Sequence, residues 1–581
     1  MTKLLSHLVI AISVYLDLVN ALPEPALHKG RRSTITKSTS PTVILDSGVI
    51  IGTTTTVPSA TASVYQFLGV PFAVSPPKSF APPEKVKPWS QPINTTTRSP
   101  ACMEQFMGDA ETVNITKTLF AYPDAIESED CLYLNVFVPA TATADKAVMN
   151  WIFPGNLYFG DASRPQYDGS SFAANHDIIV VAGNYRTNAF GFSNSPEIPI
   201  TGRNAGFYDQ RLILDWIQRN IAAFGGSPSR VLIFGESSGA SSVDRLVTTN
   251  NAPFRAAIAQ SGSASVSAYP DYYSTSWPTL ANITNCSTAT SQLSCVRSAG
   301  AFTIKSIIET NYLIFGPEND NITQLATPTL YRRSAHLSAQ VPYLIGTNGG
   351  EGYPFMIGFD NLTTAIHYDL YNPSDSQVSA IQVAYPVTTY FDNTTNVYDV
   401  VSQLFTDIYF TCPTGLIARS TATANSNLNS STATTTTGSI YRYFFNQSYP
   451  NLQLLLPTPL NLDLHSYHTI EASLIFGTFP LLNTTTPEIQ MSAFLQKTWA
   501  DFAKSPENGP GWIQVQPDQG ADNEVKDIGE FTVVFGDDDD DGEGKGKGKG
   551  KPGIVLRKER DLDGRCNLFD EQYESVVYPA F

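Results

Sequence analysis

The sequence predicts an α/β fold: a large, mostly parallel central sheet flanked by helices, with loop insertions. Three observations carry this expectation. Apolar runs of strand length recur at Leu132–Val138, Val148–Phe153, Asp177–Val181, Val231–Phe234 and Val341–Ile345, and read as buried parallel strands. Helical patterns separate them, and strands that alternate with helices build a sandwich of three layers. Residues 231–239 then join the run Val-Leu-Ile-Phe directly to Gly-Glu-Ser-Ser-Gly, a strand turning sharply into a helix.

From the N-terminus, Lys3 followed by the mostly apolar Leu4–Val19 and the small-residue site Val19-Asn20-Ala21 reads as a signal peptide over 1–21. His7 and Asp17 make the segment a poor membrane span, and no later run reaches about 20 apolar residues, so no integral membrane segment is expected. Lys29-Gly30-Arg31-Arg32 fits either a dibasic site closing a propeptide over 22–32 or a solvated basic cluster. The remainder, 33–581, is expected to form one domain. At 42% apolar and 15% charged residues it is globular, with ample material for a core. A net charge of −17 favours solubility and disfavours nucleic acid as a partner. The clearest helix is Tyr208–Asn220, with Leu212, Trp216 and Ile217 on one face and Gly225-Gly226 ending the turn that follows. Ser420–Ser439, almost wholly Ser, Thr, Ala and Asn, reads as a solvated loop, and the acidic-then-Gly/Lys stretch 537–551 as a surface insertion. Six cysteines and ten Asn-x-Ser/Thr sequons agree with export, three disulfides and glycosylation.

The Gly-Glu-Ser-Ser-Gly turn carries the chemistry. Small residues two before and two after Ser237 let the backbone fold tightly and expose the serine oxygen above a helix N-terminus. Such a nucleophile elbow is the mark of an α/β-hydrolase fold, and it makes serine hydrolysis the leading expectation.

Further motifs extend this. Phe67-Leu68-Gly69-Val70-Pro71-Phe72-Ala73, Glu129-Asp130-Cys131-Leu132-Tyr133-Leu134-Asn135-Val136, Asn184-Tyr185-Arg186 and Asn204-Ala205-Gly206 stand in order before the elbow. With them, the chain from about Val43 onward resembles the type-B carboxylesterase and lipase family, which includes secreted fungal lipases, cholinesterases and the non-catalytic neuroligins. In this fold the order is serine, acid, histidine. The resemblance implies Glu351, in Gly346-Thr347-Asn348-Gly349-Gly350-Glu351-Gly352, as the acid that orients the base. The order leaves His367, His465 and His468 of the seven histidines. Alignment on Glu471 and Phe476-Gly477 selects His468, leaving His465 as a rim or packing residue and His367 at the surface. Glu236, before the nucleophile, is expected near the site, either tuning its electrostatics or as a structural carboxylate.

The chain departs from the family in two places. The oxyanion string, commonly His-Gly-Gly-Gly, reads Phe153-Pro154-Gly155-Asn156. Residue matching puts its N–H donors at Gly155 and Asn156, with Ser238 as the third. Asparagine tolerates unusual backbone angles, so its N–H still suits the role, but its side chain threatens to crowd the acyl site. Ser79 stands where the family commonly has an arginine that pairs with the glutamate matching Glu129, and cannot make that ion pair. Arg186 and Asp209 keep the residue types of the other buried bridge. The resemblance also implies Cys102–Cys131 and Cys286–Cys295 disulfides, leaving Cys412 and Cys566 as the third pair. The loop closed by Cys102 and Cys131 is a candidate lid or gorge rim, and it lacks the tryptophan with which cholinesterases hold a quaternary ammonium.

The reading is a secreted, glycosylated serine carboxylic-ester hydrolase acting on small-molecule or lipid esters, with no metal or organic cofactor required. Its rival is a catalytically impaired hydrolase fold used for binding or adhesion, which the altered oxyanion string favours and the retained Ser237, Glu351 and His468 oppose.

Overall fold

The structure is a computed structural model that describes residues 40–573, apart from 59, 61, 122–124, 141–143, 250–252, 265–273, 329–331, 333–339, 371, 390–394, 430–437, 454–462, 518–525, 535–550 and 570–572. The expected signal peptide and propeptide, and the 537–551 insertion up to residue 550, lie outside the described residues.

Eleven strands form the central sheet: β1 Thr53–Thr56, β2 Ser63–Pro71, β3 Tyr133–Pro139, β4 Lys146–Ile152, β5 Ile179–Gly183, β6 Gly226–Glu236, β7 Ala256–Gln260, β8 Tyr343–Asn348, β9 Ile440–Phe445, β10 Lys526–Val534 and β11 Lys551–Lys558. Their spatial order is β11-β10-β9-β8-β7-β6-β4-β5-β3-β2-β1. From β5 across to β10 every neighbour is parallel. The outer pairings, β10–β11 on one side and β5–β3, β3–β2 and β2–β1 on the other, are antiparallel. This is the α/β-hydrolase arrangement, and helices flank the sheet. Ile233, Ile258 and Leu344 are fully buried on neighbouring strands, and helix residues such as Trp216 and Trp499 join the same core.

One strand runs against expectation. Leu132–Val138 reads as a parallel strand, but the observed β3 is antiparallel to both its neighbours. Only residues 140–145 separate it from β4, and a parallel crossover needs about a dozen or more. Its apolarity, broken only at the buried Asn135, reflects burial on both faces, which an interior strand of either direction shares. The helix Ala205–Asn220 starts earlier than the expected Tyr208, and its buried stripe is centred on Ile213, Leu214, Trp216 and Ile217 with Leu212 only half-buried. Gly225, at φ 84°, makes the turn, while Gly226 already begins β6.

The loop expected at Ser420–Ser439 is also corrected. The helix Cys412–Asn429 occupies its first half, with Ala422 and Ala424 buried. Ile417 and Ala418, just ahead of the low-complexity stretch, are fully buried on the same helix and dock it onto the core. All six cysteines are bonded, as Cys102–Cys131, Cys286–Cys295 and Cys412–Cys566. Among the described residues, no helix is long and apolar enough to cross a membrane.

Candidate active site

The site gathers where the parallel strands end. Glu236 closes β6, Gln260 closes β7 opposite it, and Asn348 closes β8. Ligand sites of open α/β sheets form in this place, beyond the carboxyl ends of the strands. Ser237 follows Glu236 at φ 55° and ψ −122°, and the helix Ser238–Thr248 starts at the next residue. For a residue with a Cβ this left-handed conformation is strained by about 1–3 kcal/mol, and the surroundings enforce it. The Ser237 N–H donates to Gln260 O at 2.8 Å. A Cβ on Gly239 would lie 2.1 Å from Ile152 O, and one on Gly262 would lie 2.1 Å from Ser237 O. Both glycines therefore let backbone meet backbone around the serine, whose side chain is left half-exposed.

Glu351 and His468 are brought together. Glu351 is fully buried, its Oε2 lies 2.6 Å from His468 Nδ1, and its Oε1 accepts the Asn348 N–H at 2.6 Å. Each carboxylate oxygen thus has one donor, which fixes the acid and points the imidazole. The two loops that carry these residues are stitched together. Gly350 N–H donates to Ser466 O at 3.0 Å, and Gly349 N–H donates to Ser466 Oγ at 3.1 Å. His468 Nε2 faces Glu236 Oε1 at 3.2 Å, without hydrogen-bonding it. Among the described residues no hydrogen bond joins Ser237 Oγ to His468; Ser237 is the neighbour of Glu236, the residue that Nε2 faces.

His465 stands apart, half-exposed, 3.9 Å from Asp463 and with its ring 4.6 Å from that of Tyr353. His367 is exposed on the helix Leu362–Asp369.

Three buried carboxylates share this region, two of them facing His468. Glu236 and Glu471 join Glu351, all fully buried. Burial, then the charges of Glu471 and Glu351, hold the Glu236 carboxyl well above the usual carboxylate range, against the opposing pull of Arg164. Burial thus biases Glu236 toward its protonated form. Glu471 is raised too, first by burial and then by Glu351. It accepts from Asn348 Nδ2 at 2.6 Å and from Gln260 Nε2 at 3.1 Å, and Gln260 Oε1 in turn accepts from Trp499 Nε1 at 3.1 Å. Asn348, Gln260 and Trp499 were not singled out from the sequence. Glu471 was used only to align the histidine, although its spacing three residues after His468 was the available signal.

The oxyanion string lies against the elbow. The same position on Gly239 that meets Ile152 O lies 2.9 Å from Phe153 O, so the end of β4 touches the first turn of the Ser238–Thr248 helix. Gly155 has φ 122°, Asn156 φ 54° and Leu157 φ 61°. Asn156 thus takes the left-handed conformation that asparagine tolerates best among non-glycine residues. A Cβ on Gly155 would lie 2.1 Å from Phe159 O, so no larger residue fits there.

Aromatic rings wall the histidine. Those of Phe410, Phe355 and Phe120 lie 4.9, 5.3 and 6.1 Å from its ring. Phe120 ends the helix Ala110–Phe120 inside the Cys102–Cys131 loop, which therefore reaches the site. Ser79, which cannot make the family's ion pair, donates a hydrogen bond to Glu129 instead. Arg186 and Asp209 form a buried two-pronged pair at 2.8 and 2.7 Å. Among the described residues no group of three or more His, Cys, Asp or Glu is arranged to hold a metal ion.

Comparison with known proteins gives a consistent result. The Carboxylesterase family model matches residues 39–530. Cholinesterase of Mus musculus is 32% identical over 480 residues, covering 76% of this chain and 75% of its own length. Acetylcholinesterase of Electrophorus electricus is 32% identical over 530 residues, covering 80% of each chain. Carboxylesterase 1D of Mus musculus is 30% identical over 529 residues, covering 83% of this chain and 89% of its own.

Proposed function

The chain belongs to the carboxylesterase family and is a carboxylic ester hydrolase; on that premise we propose that it works through an acyl-enzyme, with Ser237 as nucleophile, His468 as base and Glu351 as the acid that orients it. The observation that carries this reading is the buried Glu351–His468 contact at 2.6 Å, with His468 Nε2 directed at the residue preceding the strained Ser237. An ionised acid on Nδ1 leaves the Nε2 lone pair free for the serine proton and stabilises the imidazolium that forms.

Ser237 Oγ attacks the ester carbonyl as His468 takes its proton. The N–H groups of Gly155, Asn156 and Ser238 hold the oxyanion. His468 then gives the proton to the departing alcohol. Water, deprotonated by His468, adds to the acyl-serine, and collapse of the second tetrahedral species releases the carboxylic acid and restores Ser237. A hydrogen bond between Ser237 and His468 forms in the ester complex, since catalytic contacts often tighten only there. Burial of Glu236 disfavours a competing negative charge beside Nε2.

The protein is secreted and glycosylated in this account. Three disulfides fit an oxidising compartment, and sequon residues Asn94, Asn114, Asn282 and Asn483 are exposed. Its substrates are small-molecule or lipid esters, seated against the Phe120, Phe355 and Phe410 wall.

The test is hydrolysis of p-nitrophenyl esters from acetyl to palmitoyl by the secreted protein and its Ser237→Ala variant. Turnover that vanishes in the variant supports the scheme, and the chain-length optimum separates an esterase from a lipase. A folded wild type without turnover on any of them points instead to a binding module whose Pro154–Asn156 string no longer serves an oxyanion.

A further inference from the structure

The oxyanion string belongs to no helix or strand. After β4 it runs through Gly155, Asn156, Leu157 and Gly160, with φ of 122°, 54°, 61° and 117°. Four left-handed positions in six residues cannot be held by a regular ladder of hydrogen bonds, so anchors outside the string must hold it. Gly160 is the mechanical key. A Cβ there would lie 2.5 Å from both the Phe153 ring and Pro154 O. Its backbone therefore packs directly beneath the two residues that lead into the donors at 155 and 156.

Glu104, two residues past Cys102, is 4% exposed and accepts the Gly160 N–H through Oε1 at 2.8 Å. Its neighbour Gln105 donates its own N–H to Tyr158 O at 2.9 Å. The Cys102 end of the disulfide loop thus grips the far side of the string. Across the string, Asn188 Nδ2 donates to both Met103 O and Tyr158 O, tying the same two segments together. Holding a carboxyl here is costly. Burial pushes Glu104 up to about 7, opposed by the Gly160 N–H and reinforced by Glu127 and Asp161, with Lys305 offsetting. The group is still fixed, because Glu127 accepts the Glu104 N–H at 2.9 Å and Lys305 Nζ donates to Glu104 O at 2.8 Å.

We propose that Glu104 is a positioning residue for ester hydrolysis, which holds the oxyanion donors of Gly155 and Asn156 in register by anchoring the Gly160 N–H. The assignment rests on the acyl-enzyme reading above. It predicts an effect on the transition state rather than on ester binding, because the anchored N–H never touches substrate. Removing the acceptor displaces the donors, and a displacement of about 1 Å costs on the order of 10²-fold in rate.

The experiment compares wild type with Glu104→Leu, Glu104→Asp and Glu104→Gln. kcat and KM are measured on p-nitrophenyl butyrate, with active sites counted by saturating fluorophosphonate. Glu104→Leu, which has no acceptor, lowers kcat per titrated site by about 30-fold or more with KM within about threefold. Glu104→Gln, whose amide oxygen still accepts, restores most of that loss. Glu104→Asp, one methylene short, falls between them and carries the test if the leucine variant fails to fold. A folded Glu104→Leu, or failing that Glu104→Asp, with wild-type kcat per site overturns the proposal, as does a glutamine variant no better than leucine. A wild type that neither labels nor turns over would instead remove the acyl-enzyme reading, and this assignment with it.

Discussion

Replacing Glu351 by glutamine tests the electrostatics of the site with almost no change in shape. In the native arrangement one carboxylate oxygen accepts from His468 Nδ1 and the other from the Asn348 N–H, both at 2.6 Å. An amide supplies one acceptor and one donor, so it satisfies only one of the two. If the oxygen faces Asn348, the amide N–H meets Nδ1 and forces the proton onto Nε2, where it blocks uptake of the serine proton. If the oxygen faces His468, the buried Asn348 N–H loses its acceptor. In either orientation the imidazolium formed on attack loses its counter-charge. Two charges about 4 Å apart at an effective dielectric of about 20 attract by about 4 kcal/mol, which is about 10³ in rate. The tautomer penalty raises this toward 10⁴. Glu351→Gln should therefore lower kcat on p-nitrophenyl butyrate by about 10³–10⁴-fold, with KM nearly unchanged and the fold intact by circular dichroism. Glu471→Gln, which perturbs Asn348 and Gln260 rather than the imidazole, should cost far less. A Glu351→Gln enzyme within tenfold of wild type would refute the assignment of the acid and turn attention to Glu236, on the other side of the ring.

Other consequences are equally direct. Burial raises Asp161 from 3.8 to about 6, as it raises Glu104 from 4.5 to about 7. The folded protein therefore binds these protons more tightly than the unfolded chain does. Their stabilisation is full below the unfolded values and is lost as pH rises through about 6 and about 7. Thermal melts from pH 4 to 8 should show Glu104→Gln gaining on wild type as pH rises, by up to about 3 kcal/mol; a pH-independent difference would contradict this. At Asn156, β-branched valine cannot hold φ 54° without cost, so Asn156→Val should lower kcat by about 10–100-fold while Asn156→Gly keeps it. Equal activity of the two in the same ester assay would show that this backbone angle is not required. Removing Cys412–Cys566, which closes a separation of 154 residues, should cost about 5 kcal/mol in the chain-entropy account, against about 2.5 kcal/mol for Cys286–Cys295 with its separation of 9. Urea unfolding of the two double-serine variants checks the order.

The parts legible in the sequence are those set by local pattern. Residues 231–239 announce a strand, a tight turn and a helix within nine positions, because the glycines that permit backbone contact are themselves the signal. The existence of β3, β4, β5, β6 and β8 was also legible, whereas β7, the short run Ala256–Gln260, was not, and the direction of β3 depended on the length of the next connection. β9 was harder to see. Arg442 interrupts its apolar run, and that arginine is buried against Asp563, more than a hundred residues away. The helix through 420–429 shows the same limit, since propensity alone does not reveal what a small-residue face docks on. At the site, chain order and motif selected Glu351 and His468, which the fold brings together. The aromatic wall and the Asn348–Glu471–Gln260–Trp499 chain join segments that share no local spacing, so only the three-dimensional arrangement reveals them.

The most direct test of the central claim is intact-mass analysis and peptide mapping of the secreted protein after treatment with a fluorophosphonate. The account predicts one phosphonyl group per chain, located on Ser237 and absent from the Ser237→Ala variant. Unmodified folded protein, or a label that persists in that variant on another residue, would contradict it.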